Sequence, residues 1–120
     1  MTMRTLLWLD DVRNPEDGWV REHRPEFSIQ QVVWVKDYNQ FVKWIKANGL
    51  PTCIGFDHDL GKKMTGADAA ELIANYCVDR MEEVPDYFVQ SANPVGRANI
   101  ISKLECAKRF IKSNQPIKQQ

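Results

Sequence analysis

The sequence predicts an α/β domain built on a short parallel sheet. Three observations lead there. Short, nearly continuous apolar runs recur along the chain, as in strands covered on both faces. Amphipathic stretches with helical spacing separate them, and strands alternating with helices imply crossovers and parallel pairing. Three of the runs end abruptly in polar residues. Leu6, Leu7, Trp8 and Leu9 lead into Asp10 and Asp11. Ile54, Gly55 and Phe56 lead into Asp57, His58, Asp59, Leu60 and Gly61. Tyr87, Phe88 and Val89 lead into Gln90, Ser91, Ala92 and Asn93.

Residues 5–9 read as the first strand, and the acids with Asn14 and Pro15 as the turn that ends it. Residues 16–31 are the least patterned stretch, with Gly18 and Pro25 among scattered apolar residues, and read as an ordered loop pinned by Trp19 and Phe27. A loop that long is uncommon in a compact domain and either shapes the site or only connects elements. Residues 32–35, β-branched and aromatic, form the second strand. Asp37 is placed to cap a helix whose buried face is Phe41, Trp44 and Ile45; Gly49 ends it and Pro51 prevents its continuation. The third strand covers 53–56. A polar loop with Lys62 and Lys63 follows, read as solvated. Thr65 with Asp68 has capping-box spacing, before a helix with Ala70, Ile73, Ala74 and Cys77 on one face. After Pro85, residues 86–90 form the last strand. Asn93 and Pro94 then read as cap and first residue of a helix with an apolar stripe of Ile100, Leu104, Ala107 and Ile111. The domain is expected over 1–113, with 114–120 a frayed polar tail.

Composition excludes several classes. The chain has 120 residues, enough for one domain with a single core. Lys plus Arg and Asp plus Glu number 16 each, so there is no strong nucleic-acid field, although a local basic patch stays open. No apolar run approaches the roughly 20 residues of a membrane span. The amino terminus lacks a signal-peptide pattern, and Cys53, Cys77 and Cys106 are few, odd in number and far apart. These features predict free thiols in a reducing, cytoplasmic setting, without disulfide or zinc site.

If the first strand is central, with the third and fourth to one side, Asp10, Asp11, Asp57, Asp59, Ser91 and Asn93 share one rim of the sheet, where open α/β sheets bind ligands. Carboxylates gathered there repel one another unless a hard cation such as magnesium holds them.

The stretches 7–13 (LWLDDVR), 56–61 (FDHDLG) and 91–99 (SANPVGRAN) together resemble the cyclic-phosphate processing receiver-like family, a divergent relative of response-regulator receivers. The resemblance implies a three-layer, flavodoxin-like domain with a sheet of about four strands. The first helix would be replaced by the 16–31 loop and the last strand would be missing. Asp10 and Asp11 would be the acidic pair and Asp57 the acid that ligates metal and accepts phosphate. Ser91 would be the hydroxyl residue of the fourth strand. The chain departs from receivers in lacking the strand that carries their phosphate-contacting lysine, and in its extra acid, Asp59. It has Gln90 where the family often has histidine.

The implied cofactor is Mg2+ or Mn2+ on Asp11 and Asp57, with Asp10 or Asp59 contributing directly or through water. Asp57, Asp59 and His58 are the candidate catalytic residues, and His58 is either a substrate contact or a packed or exposed spacer. Arg13, Ser91, Asn93, Gly96 and Arg97 are the candidate phosphate ligands. The amides at the start of the last helix are expected to hold an anion and Gly96 to leave room for it. Arg13 either reaches phosphate or pairs with the acids. The expected partner is a phosphate-containing small molecule or an RNA end. Three readings follow: a metal-dependent phosphoesterase acting on cyclic phosphates, a non-catalytic module that senses a nucleotide or docks a protein, and an acid pair working as in haloacid-dehalogenase phosphatases. The third fits least, because those enzymes place the pair on their first strand.

Overall fold

The computed structural model describes residues 4–15 and 31–115. The expected loop over 16–31 therefore lies outside the described residues, apart from Gln31. The tail lies outside them from 116 onward.

Four strands, β1 (Thr5–Leu9), β2 (Gln31–Val35), β3 (Cys53–Phe56) and β4 (Asp86–Val89), form one sheet in the order β2-β1-β3-β4, with every pairing parallel. The first strand is central, as expected, and all five of its residues are buried. β2 lies at an edge, and its first two residues are exposed. Three helices connect or follow the strands: α1 (Tyr38–Asn48), α2 (Gly66–Arg80) and α3 (Pro94–Asn114). The last runs one residue past the expected domain boundary.

The helix boundaries follow from local chemistry. Asp37 caps α1 by accepting from the Gln40 amide at 2.8 Å, and Gly49 ends it at φ 77°, a conformation that favours glycine. At α2 the Thr65 amide donates to Asp68 at 2.7 Å, and the Thr65 hydroxyl reaches the same carboxylate at 3.1 Å. Asn93 caps α3 through the Gly96 amide at 3.0 Å, ahead of Pro94. Each cap satisfies a donor that the first turn would otherwise leave unpaired.

Strand alternation divides the core in two. On one face Leu7, Leu9, Ile54, Phe56 and Val89 form the main cluster. It receives Phe41 and Ile45 of α1, Ile73 and Cys77 of α2, and Ile100, Leu104 and Ile111 of α3. All three described helices therefore cover this face. The other face carries Leu6, Trp8, Cys53 and Phe88, with Trp34 packed against them. The α2 stripe is wider than its spacing indicates: Ala67 and Ala69 are buried with Ala70, while Ala74 is only partly so. The cause is Gly66, whose amide donates to the His58 carbonyl at 2.9 Å and draws the first turn tightly onto the sheet.

Candidate metal and phosphate site

The sheet ladder continues one rung past the strands. The Asp10 amide donates to the Val35 carbonyl at 3.1 Å, Asp57 to Leu9 at 2.9 Å, and Gln90 to Phe56 at 3.0 Å. Asp10, Asp57 and Gln90 thus stand level at the carboxyl ends of β1, β3 and β4. Alternation puts their side chains on the face of Trp8, Gly55 and Phe88.

Asp10 is almost fully buried, at 1% exposure. One of its carboxylate oxygens accepts from the amides of Val12 (3.0 Å) and Arg13 (2.7 Å), closing the turn after β1. The other lies 3.3 Å from the Arg13 guanidinium. The same guanidinium nitrogen donates to the Gln90 carbonyl at 2.6 Å, spanning from the β1 turn to β4. Two indoles hold the turn from below: Trp34 Nε1–H donates to the Asp10 carbonyl at 2.7 Å and Trp8 Nε1–H to the Arg13 carbonyl at 2.8 Å. Trp8 is buried in the core and Trp34 packs against its cluster. Their donors also fix the site, since a buried indole N–H needs a partner.

Asp10, Asp11 and Asp57 each present a carboxylate oxygen within 4.8 Å of the others. Asp57 is buried and its carboxyl is pushed up to about 6. Burial contributes most; the Asp10 and Asp11 charges add to it, while Arg13 and the Asp59 amide oppose it. Gly61 turns the following loop back at φ 67°, where a Cβ would lie 3.3 Å from Asp11 Oδ2. The three acids, with Arg13, Asp59, Ser91 and Ala92, line an open cleft of about 240 Å³.

The structure brings Ser91 to this cleft, buried, with its hydroxyl oxygen accepting from the Asn93 amide at 3.1 Å. Asp59 lines it too but lies outside the three-carboxylate group. Its side chain is 65% exposed and meets His58 Nδ1 at 3.1 Å and Asn93 Nδ2 at 3.4 Å. Lys62 reaches away from the cleft to Asp37 at 3.1 Å.

Three expectations at the start of α3 are corrected. Gly96 does not leave room for a ligand: the His58 imidazole fills that space, and a Cβ on Gly96 would lie 2.1 Å from its Cγ. Arg97 is not among the residues lining the cleft; its guanidinium donates to the Val89 carbonyl at 2.7 Å. The helix amides are largely taken. Pro94 has no N–H, Gly96 donates to the Asn93 side chain, and Arg97 donates to the Asn93 carbonyl. Among the first-turn amides only that of Val95 is left over for an anion. Spacing indicated that these residues reach the rim but not which groups they meet there.

Of two further residues at the site, Gln90 was noted from sequence only as a departure from the family, and Gly66 was not singled out. Gln90 is buried, donates from Nε2 to the Leu9 carbonyl at 3.1 Å, and has no described partner for Oε1. Gly66 lies so close to the chain that a Cβ would fall 1.9 Å from the Asp57 carbonyl oxygen. A glycine opening a helix right after an acidic loop is the one signal that would have pointed to it.

The sheet order, the level strand ends and the paired acids of β1 facing the acid of β3 define a receiver-like α/β domain. The family model for the Cyclic-phosphate processing Receiver domain matches residues 5–106, and the chain belongs to that family. No curated protein matches the chain. A solved fusion containing the yeast Spc42 trimeric coiled coil is similar at a TM-score of 0.53 and 16% identity, covering 95% of this chain and 82% of that one. At that identity the likeness supports the fold alone.

Proposed function

We propose that the cleft binds a divalent cation, Mg2+ or Mn2+, and with it a phosphate-bearing ligand such as a cyclic phosphate, a nucleotide or an RNA end. The observation that carries this reading is the convergence of Asp10, Asp11 and Asp57 at the carboxyl edge of the sheet. The donor set fits the ion. All three are hard oxygen donors, and the raised carboxyl of Asp57 reflects negative charge crowded into a buried place. Asp11 and Asp57 would hold the ion. Asp10 already has one oxygen committed to the β1 turn, so its other oxygen, beside Arg13, is the one available. A bound cation supplies charge neutralisation for a phosphate oxygen. The chain's own residues would then orient the ligand, with the Ser91 hydroxyl and the outward-facing part of the Arg13 guanidinium as polar contacts. Asp57 would be the group to attack a phosphorus centre, with an ester oxygen leaving, or to take a proton.

Whether binding leads to opening of a cyclic phosphate separates an enzyme from a sensing module. The module reading is favoured by one feature: no lysine lines the cleft among the described residues, and its single lining cation, Arg13, is engaged by Asp10 and the Gln90 carbonyl. The deciding experiment is calorimetry with Mg2+ and Mn2+, followed by a phosphoester panel including nucleoside 2′,3′-cyclic phosphates. Metal binding that weakens in Asp57→Asn and Asp11→Asn is the expected result. Turnover lost in Asp57→Ala would identify an enzyme, and binding without turnover a module. A parent protein indifferent to both metals would end the proposal.

A further inference from the structure

His58 has a place in this fold that neither metal binding nor catalysis accounts for. It sits between two carboxylates, Asp57 and Asp59, yet its own side chain is only 17% exposed. The ring lies in a notch on α3 that exists because residue 96 is glycine. Any Cβ there would come within 2.1 Å of Cγ and 2.5 Å of Nδ1 and Cδ2. Nδ1 faces the Asp59 carboxylate at 3.1 Å and the Asn93 side-chain amide at 3.5 Å. Asn93 in turn caps α3, and its own amide donates to the Ser91 hydroxyl oxygen. The backbone of the same residue is held from the other side, where the Gly66 amide donates to the His58 carbonyl at 2.9 Å.

One residue is therefore clasped between the amino ends of two helices. The carboxylates lie on the β3 loop and the hydroxyl on the β4 turn. Among the described residues, the side-chain hydrogen bonds that join these two segments run through His58, Asp59 and Asn93. We infer that His58 is a positioning residue: its ring, seated on Gly96, sets the spacing between the Asp57–Asp59 loop and the Ser91–Asn93 turn. A merely packed spacer would need neither the glycine notch nor the polar neighbours. The inference rests on the reading of the cleft as a metal and phosphate site, but it can be tested without metal.

The experiment uses Gly96→Ala, His58→Ala and the double variant in the full chain, each compared with the parent by amide resonances in EDTA and by Mg2+ titration. Displacing the ring in Gly96→Ala should shift the amides of Asp57 and Asp59 together with those of Ser91 and Ala92. It should also weaken Mg2+ binding about tenfold, as loss of a supporting shell does. Removing the ring from that background should recover part of both effects, so that the two substitutions are strongly non-additive. If Gly96→Ala does not fold, His58→Ala alone is read, and the same four amides should move. Independent effects of the two substitutions, or unmoved amides on the β4 side, would overturn the inference. Coupled amide shifts in a parent that ignores Mg2+ would support the positioning role and refute the metal reading instead.

Discussion

Replacing Asp57 with asparagine should stabilise the metal-free protein at neutral pH while removing most of its response to magnesium. The carboxyl of Asp57 is raised from 3.8 to about 6, first by burial and then by Asp10 and Asp11. A group whose folded pKa lies above its unfolded value favours the native state below the unfolded pKa. That contribution is lost as pH rises through the folded one. Between 3.8 and about 6 the loss amounts to about 3 kcal/mol, at about 1.4 kcal/mol per pH unit. Asparagine keeps the shape, carries no charge and has no such term. Melting curves in EDTA at pH 4, 5, 6, 7 and 8 should therefore show the parent falling relative to Asp57→Asn, with most of the change between pH 4 and 6. The difference should reach about 10 °C for a domain of this size. Magnesium should reverse the parent's decline, because it binds the ionised carboxylate. At a concentration about 100 times Kd it adds about 2.7 kcal/mol, and Asp57→Asn should gain far less. Parallel melting-temperature profiles for the two proteins in EDTA would refute this account of the buried acid.

Two further outcomes follow from contacts already described. Arg97→Ala should lower stability by about 1 kcal/mol, because the Val89 carbonyl loses its charged donor, and should leave phosphate affinity with Mg2+ unchanged; a marked loss of affinity in calorimetry would place Arg97 at the ligand after all. A thiol reagent at pH 8 should label one cysteine in the native protein and none in Cys106→Ser: Cys106 is exposed, whereas Cys53 and Cys77 are buried and burial pushes the Cys77 thiol up to about 11.

The parts legible in the sequence are those where one local rule decides the outcome. β1 and β3 are buried on both faces, so each reads as an unbroken apolar run. The caps at Asp37, Thr65 and Asn93 depend on residues three apart and can be read directly. The rim was legible because parallel strands that stop together deliver their next residues to one edge, and Asp10 and Asp57 are those residues. What could not be read depends on direction across the fold. That His58 points into α3, that Arg97 turns back to β4, and that Asn93 consumes the Gly96 amide are all set by the close approach of α2 and α3 to one loop. Of the glycines that permit this approach, Gly66 passes in sequence for the start of a helix, and Gly96 reads as room for a ligand rather than as a seat for His58. The burial of Ala69 in place of Ala74 has the same origin, since the first turn of α2 is pulled inward at Gly66.

The corrected amino end of α3 changes what the cleft can recognise. Its lining holds four carboxylates, Asp10, Asp11, Asp57 and Asp59, against the single guanidinium of Arg13, and Arg13 already faces Asp10. One leftover helix amide, at Val95, does not offset that charge, because a helix end counts for only about half an elementary charge. A phosphate group approaching alone therefore meets repulsion, which grows in a buried setting where charges are poorly screened. On the proposed reading a divalent cation would offset most of this negative charge, and the Ser91 hydroxyl and the outer face of Arg13 would then serve as contacts for the anion. On the proposed reading, the cleft would therefore take the cation and phosphate together rather than phosphate alone.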